Sequence, residues 1–138
     1  MLARQITTGL MVGGACAGLS ACQTAAPDDA AAPMANPVYL SADVAQMGGD
    51  LVQVKVAMKG ARTPDDVMDY ARCTAAAFAL KGEAGFVRKV RTITDKEGGI
   101  WRADAVYSVT SALPAGMQTI DADVTVQDCR DRGIPAGN

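Results

Sequence analysis

Histidine is absent from the 138 residues, and aromatic side chains make up only 4% of them. Without histidine the chain has no Ser-His or Cys-His catalytic pair, no imidazole metal ligand and no histidine pH switch. A phosphate-binding loop of the Gly-x-x-x-x-Gly-Lys-Ser/Thr type is also missing from the sequence. These absences exclude several large classes of enzyme.

Charged residues of both signs together make up only 20% of the chain. The 13 basic and 15 acidic residues give a formal net charge of -2, and 49% of the residues are hydrophobic. A nucleic-acid partner is excluded, because it would require a concentrated basic face. The apolar content excludes an intrinsically disordered chain, and the length predicts one small domain.

The N-terminal segment has the pattern of an export signal. Arg4 is the only charged side chain before Asp28, and a run of apolar and small residues extends over 6–19. A basic start, a short apolar centre and a small-residue end are typical of a secretory signal peptide. The run is shorter than the roughly 20 residues that a membrane-spanning helix needs.

The end of this segment, Leu19-Ser20-Ala21-Cys22, resembles the lipobox of bacterial lipoproteins. The resemblance implies cleavage between Ala21 and Cys22, so that residues 1–21 are the signal peptide. It also implies that Cys22 carries a diacylglycerol thioether and that the new amino terminus is acylated, often with palmitate. Several acyl chains anchor a protein stably in a membrane. The alternative is an ordinary signal peptide that is cleaved elsewhere and leaves Cys22 a thiol.

The segment after the cysteine is rich in alanine, proline and aspartate and has no hydrophobic period. We interpret residues 22–37 as a flexible linker that holds a domain at 38–138 away from the membrane. Gln23 follows the lipobox where aspartate would retain an enterobacterial lipoprotein in the inner membrane. We therefore expect a cell-envelope protein that faces the periplasm, anchored in the outer membrane.

The domain itself shows alternating strand and helix patterns. A short strand at 38–40 and a helical turn capped by Ser41 are predicted first. Apolar residues then alternate from Val52 to Met58, as in a half-buried strand. Thr63 and Pro64 begin a helix whose first turn holds Asp65 and Asp66, and which ends at Gly82.

Three further strands are predicted at 86–94, 100–110 and 120–127, with a hairpin turn at 95–99. In the last strand, Ile120, Ala122, Val124 and Val126 would share the buried face. The prediction is therefore an α+β fold of two layers, β-α-β-β-β, with one helix packed on an antiparallel sheet.

Two of the four cysteines remain in the mature domain. Cys16 is removed with the signal peptide and Cys22 is the lipid site, which leaves Cys73 and Cys129. In an oxidising compartment such a pair is expected to form a structural disulfide. A redox-active pair would have Cys-x-x-Cys spacing, and a metal site would need more ligands.

The sequence contains three further candidate sites. Asp121 and Asp123 would share a strand face with Asp104 near them, but alternating charges on a solvated sheet explain them without catalysis. A basic strand, 88–91, would suit an anionic partner such as a lipid headgroup or peptidoglycan, but a strand that faces solvent is the preferred interpretation. Trp101 is predicted to pack under the helix, and the alternative is an exposed position where it would anchor a partner. No catalytic residue, metal site or cofactor is predicted.

The strand-helix-sheet body with Cys73, together with the closing residues 128–135, resembles small envelope lipoproteins of Gram-negative bacteria. Such proteins bring no activity with the resemblance. The leading hypothesis is a non-enzymatic accessory or scaffold domain, anchored to the membrane by its lipid, with an envelope protein as partner. The alternatives are a ligand- or peptidoglycan-binding module and an enzyme of unrecognised type.

Overall fold

The computed structural model describes residues 36–113, 115 and 119–137, and these belong to one unit. They form an antiparallel five-stranded sheet with two helices, so the α+β class is confirmed. The strand order is β1-β2-β4-β3-β5. The predicted signal peptide, the lipobox at Cys22 and the linker up to residue 35 lie outside the described residues. In chain order the elements are β1 (Val38–Gly48), β2 (Leu51–Lys59), α1 (Pro64–Lys81), β3 (Phe86–Glu97), β4 (Ile100–Thr110), β5 (Thr119–Asp121) and α2 (Ala122–Asp131).

The core lies between α1 and one face of the sheet, here called the inner face. Residues of β2 and β4 alternate between this face and the opposite, outer face. On the inner face, Val54 pairs with Ala105 and Val56 pairs with Ala103. All four side chains are buried. The period-2 pattern predicted for both strands is confirmed, because a strand with one buried face places every second side chain in the core.

Helix α1 begins at Pro64, as predicted, but its first turn is stabilised differently. Thr63 occupies the N-cap position without a side-chain hydrogen bond. Instead, the Asp66 carboxylate accepts a hydrogen bond from the backbone N–H of Arg62. Small side chains in the second half of α1, among them Ala75 and Ala76, are fully buried. This slim surface allows other segments to approach the helix closely.

The start of the domain differs from the prediction. The helical turn expected after Ser41 is wrong, because β1 runs unbroken from Val38 to Gly48 and pairs with β2. The register shifts at Leu40 and again at Met47, which identifies both as bulge residues. Each bulge moves the following side chains to the other face of the sheet. The strand therefore lacks the simple alternation by which strands are recognised in a sequence.

The hairpin between β3 and β4 is tighter than predicted. The five-residue turn at 95–99 is wrong, since β3 continues to Glu97, which pairs with Ile100. Only Gly98 and Gly99 form the turn, with φ angles of 57° and 76°. Two consecutive residues with positive φ match the twist of the adjoining strands, and glycine adopts this conformation without strain.

The largest correction concerns the C-terminal segment. The predicted strand at 120–127 is only the three-residue β5, and α2 follows at once. Asp121 is the N-cap of α2 and accepts a hydrogen bond from Val124 N at 3.0 Å. The buried side chains are Ala122, Thr125, Val126 and Cys129, which is the spacing of a helix and not of a strand. The order is therefore β-β-α-β-β-β-α and not β-α-β-β-β.

In the described part of the chain, neither helix is long and apolar enough to cross a membrane.

Candidate functional site

A cleft of about 540 Å³ lies between the first half of α1 and the inner face of the sheet. One wall consists of Asp65, Met68, Asp69 and Arg72, which recur at i, i+3, i+4 and i+7 and so share one face of α1. The other wall consists of Lys89 on β3, Tyr107 on β4, and Thr119 and Ile120 on β5. We call this the α1–sheet cleft. Its volume is in the range of small-molecule sites.

Tyr107 is the most deeply buried of the residues that line the cleft, and its side chain belongs to the core. Burial raises the pKa of Tyr107 to about 12, while the Arg72 charge lowers this pKa and the Asp69 charge raises it. The phenol is therefore protonated at any physiological pH. It can serve the cleft as a neutral hydroxyl that both donates and accepts hydrogen bonds.

Lys89 reaches the cleft because β3 pairs with β4 in an unbroken register up to this residue, which places it on the inner face. The register between β3 and β4 shifts between Lys89 and Arg91, and Val90 is the extra residue. Lys89 pairs with Tyr107 on the inner face, whereas Arg91 pairs with Val106 on the outer face. The predicted basic strand at 88–91 is thus divided between the two faces of the sheet. It does not form a single basic surface.

Arg72 connects the cleft to α2. One of its Nη atoms lies 3.3 Å from an Asp69 carboxylate oxygen and 3.4 Å from an Asp128 oxygen. Arg132 contacts both of these carboxylates as well. The hydrogen bond to Asp69 is the largest cause that raises the pKa of Arg132. The Nε of Arg72 is buried and finds no hydrogen-bond acceptor among the described residues.

The two cysteines of the domain lie beside this ion-pair cluster. Their sulfur atoms are 2.00 Å apart and their Cα atoms 6.0 Å apart, and neither side chain is exposed. Cys73 lies on α1 and Cys129 on α2, so the pair joins the two helices. The structure therefore brings together the residues for which the sequence predicts a structural disulfide.

A family model, that of the YNQ4 C-terminal domain, matches residues 39–133, from β1 to the turn after α2. The chain belongs to this family. The YNQ4 C-terminal domain stretch contains both cysteines and every residue that lines the α1–sheet cleft.

A similar protein comes from Paracoccus denitrificans and is described as an uncharacterised 26.9 kDa protein in the nqo8 5' region. It is 33% identical over 86 residues, which cover 62% of this chain but only 34% of the Paracoccus protein. The chain therefore spans about a third of that relative. No solved structure was found to match the chain.

The carboxylates considered from the sequence do not meet in the YNQ4 C-terminal domain. Asp121 caps α2, and Asp123 is exposed on the first turn of that helix. Asp104 lies on the outer face of β4, where both its oxygens accept hydrogen bonds from Gln53 at 2.9 Å. The shared strand face predicted for Asp121 and Asp123 is wrong, because this segment is helical. Nowhere among residues 36–113, 115 and 119–137 do three potential metal ligands cluster.

Trp101 is half-buried on the inner face of β4, paired with Met58, and packs against the core. Its Nε1 is buried without an acceptor in the described part of the chain. The Lys96 ammonium lies 5.1 Å from the centre of the ring, a cation–π contact. This agrees with a packing role for the single tryptophan.

Sequence reasoning missed the cleft and its residues on α1. The available signal was three charged residues and a methionine at helical spacing, Asp65, Met68, Asp69 and Arg72, next to the buried face of α1. Such a set normally faces solvent, so it indicates a site only once the facing strands are known.

Proposed function

We propose that the domain is a non-enzymatic partner-binding module of the bacterial cell envelope, anchored in the outer membrane through lipid on Cys22. The observation that carries the proposal is the free edge of the sheet at β1. This strand is 11 residues long and is the outermost in the strand order, so none of the described strands pairs with its outer edge. Unpaired backbone groups along an edge can hydrogen-bond to a strand from another protein.

The side chains of β1 favour such an addition. Asp43 is the only charged residue in the strand, and it pairs with Lys55 of β2. Natural edge strands are commonly protected by shortness, by lysine or by bulges. Strand β1 is long and has no lysine, and between its two bulges residues 41–46 form an uninterrupted stretch of edge. The bulge residues Leu40 and Met47 are 45% and 54% exposed. An extended, largely uncharged segment of an envelope protein would match this edge.

The non-enzymatic part of the proposal is supported by the structural role of the one buried carboxylate among the described residues. Asp66 is the only Asp or Glu that is buried within the described ranges, and it is paired with Arg62. Turnover of a cell-wall or small-molecule substrate that is lost in Asp66→Asn, with the fold intact, would contradict the proposal.

The test of the partner surface is site-specific photocrosslinking in cells. A photoreactive side chain at Leu40 or Met47 should capture one partner, whereas the same group at Val124 should not, although Val124 is an exposed apolar residue on α2. Leu40→Lys should reduce capture from position 47, while Val124→Lys should leave it unchanged. Equal capture from position 124, or no capture from β1, would refute the proposal.

The anchor has a separate test. Cys22→Ala should abolish labelling by a fatty-acid precursor and leave uncleaved precursor in the membrane fraction. Fractionation of inner and outer membranes locates the labelled protein. Labelling that persists in Cys22→Ala would show that the lipobox assignment is wrong.

The second candidate function is a ligand-binding module. The observation that favours it is the α1–sheet cleft, in which charged and hydroxyl groups converge beside apolar ones.

A further inference from the structure

The charges that border the α1–sheet cleft differ in whether they are already neutralised. Asp69 and Arg72 belong to the ion-pair cluster with Asp128 and Arg132. Asp65 and Lys89 make no ion pair with any residue in the described part of the chain. One unpaired carboxylate on the helix wall therefore stands across from one unpaired ammonium on the sheet wall.

A neutral hydrogen-bonding group, the Tyr107 hydroxyl, lies beside the Lys89 ammonium. Lys89 and Tyr107 are directly paired across β3 and β4, so their Cβ atoms are about 5 Å apart. The Tyr107 hydroxyl is held in its protonated form by burial. These donors suit a carboxylate, which accepts several hydrogen bonds at once.

A ligand with a single charge fits the cleft poorly. A simple anion would be attracted to Lys89 but repelled by the Asp65 carboxylate. A simple cation would be attracted to Asp65 but repelled by the Lys89 ammonium. A molecule with a carboxylate and an ammonium group close together satisfies both. Met68 and Ile120 add apolar surface to the lining, which suits a small aliphatic side chain between the two charges.

From this arrangement we infer that the α1–sheet cleft binds a zwitterion of the amino-acid type. Its carboxylate is held by Lys89 and Tyr107, and its ammonium group by Asp65. The ligand is either a free amino acid or a short peptide, since both present this chemistry. The inference rests on the second candidate function, the ligand-binding module, whose ligand class it names. It is independent of the partner proposed at β1, because the cleft and that edge lie on different strands.

Binding can be measured by ligand-detected NMR on the full chain purified from solubilised envelopes. The probes are L-alanine, L-leucine and L-alanyl-L-alanine as zwitterions, with acetate and methylammonium as single-charge controls. At least one zwitterion should bind saturably, and about tenfold more tightly than either control. Preference for alanine or leucine over the dipeptide identifies the free amino acid as the ligand, and the reverse preference identifies a peptide.

Substitutions test the assignment of the charges. Lys89→Met and Asp65→Asn should each weaken binding of the preferred zwitterion about tenfold. The matched controls Lys59→Met and Asp123→Asn change exposed residues outside the cleft and should leave binding unchanged. Thermal melts verify the fold of each variant. The inference is overturned if no zwitterion binds saturably, if acetate binds as tightly as the zwitterions, or if the cleft variants bind like the controls.

Discussion

At the scale of single residues, Asp66 is a buried carboxylate that accepts three hydrogen bonds from one arginine. It is 6% exposed, and its carboxylate accepts hydrogen bonds from the Arg62 backbone at 2.8 Å, from Nε at 3.2 Å and from Nη2 at 3.0 Å. A buried carboxylate is tolerated only when it is paired in this way. The hydrogen bonds of Arg62 lower the pKa of Asp66, against the opposing effect of burial.

We predict that Asp66→Asn lowers the free energy of unfolding by about 1–3 kcal/mol at neutral pH, because charged hydrogen bonds are replaced by weaker ones. Asp65→Asn, at the exposed neighbouring position, should change it by less than about 0.5 kcal/mol. Urea denaturation measures both. An equal loss in the two variants would contradict a specific role for the Arg62 pair.

The same residue predicts a pH dependence. Its pKa is lower in the folded protein than in the unfolded chain, so its stabilising contribution is complete above the unfolded pKa of about 3.9 and is lost as the pH falls through the folded pKa. The difference in stability between the wild type and Asp66→Asn should therefore shrink below about pH 4. A difference that stays constant down to pH 2 would show that the carboxylate charge does not matter.

At the scale of elements, a strand or helix can be predicted from the sequence only where its buried residues recur with a single period. Strand β2 is predicted because Val52, Val54 and Val56 alternate with more polar residues, and β4 shows the same period at the positions paired with them. Strand β1 was missed beyond residue 40 because bulges at Leu40 and Met47 break its alternation. A bulge depends on pairing with another strand, and a local pattern does not reveal it.

The segment after residue 119 carries two periods at once. Ile120, Ala122, Val124 and Val126 alternate like a strand, while Ala122, Val126 and Cys129 recur like a helix. β-Branched residues favour the strand reading. Long-range packing resolves the ambiguity, because only a helix places Val126 and Cys129 together against α1. The α1–sheet cleft was unpredictable for a similar reason, since its walls come from four separate elements.

A pair of valines distinguishes the two readings by experiment. Val126 is 3% exposed and Val124 is 68% exposed, although a strand would bury both. Val126→Ala should lower the free energy of unfolding by about 2 kcal/mol, from lost burial and the cavity that remains. Val124→Ala should change it by less than about 0.5 kcal/mol. Similar losses in both variants, measured by urea denaturation, would favour the strand.

At the scale of the whole molecule, the contact between the two helices determines how firmly the C-terminal part is held. Helix α2 lies on α1, with little direct contact to the sheet beyond β5. Cys73 and Cys129 are separated by 56 residues, and the chain between them contains β3, β4 and β5. A disulfide at this position closes most of the domain into one covalent loop.

We therefore predict that the native chain has no reactive thiol at Cys73 or Cys129, and that reduction after unfolding adds the mass of two hydrogen atoms. Replacing both residues by alanine should lower the free energy of unfolding by about 4 kcal/mol, because the unfolded chain regains the freedom of a long loop. The loss should fall mainly on α2, whose remaining links to α1 are side-chain packing and the ion pairs Arg72–Asp128 and Arg132–Asp69. In hydrogen exchange, the α2 amides should thus lose protection before those of β2 and β4.

If the masses before and after reduction are equal, two free thiols are present and the redox interpretation gains support. A uniform loss of protection across the sheet would instead show that the disulfide stabilises the fold as a single unit.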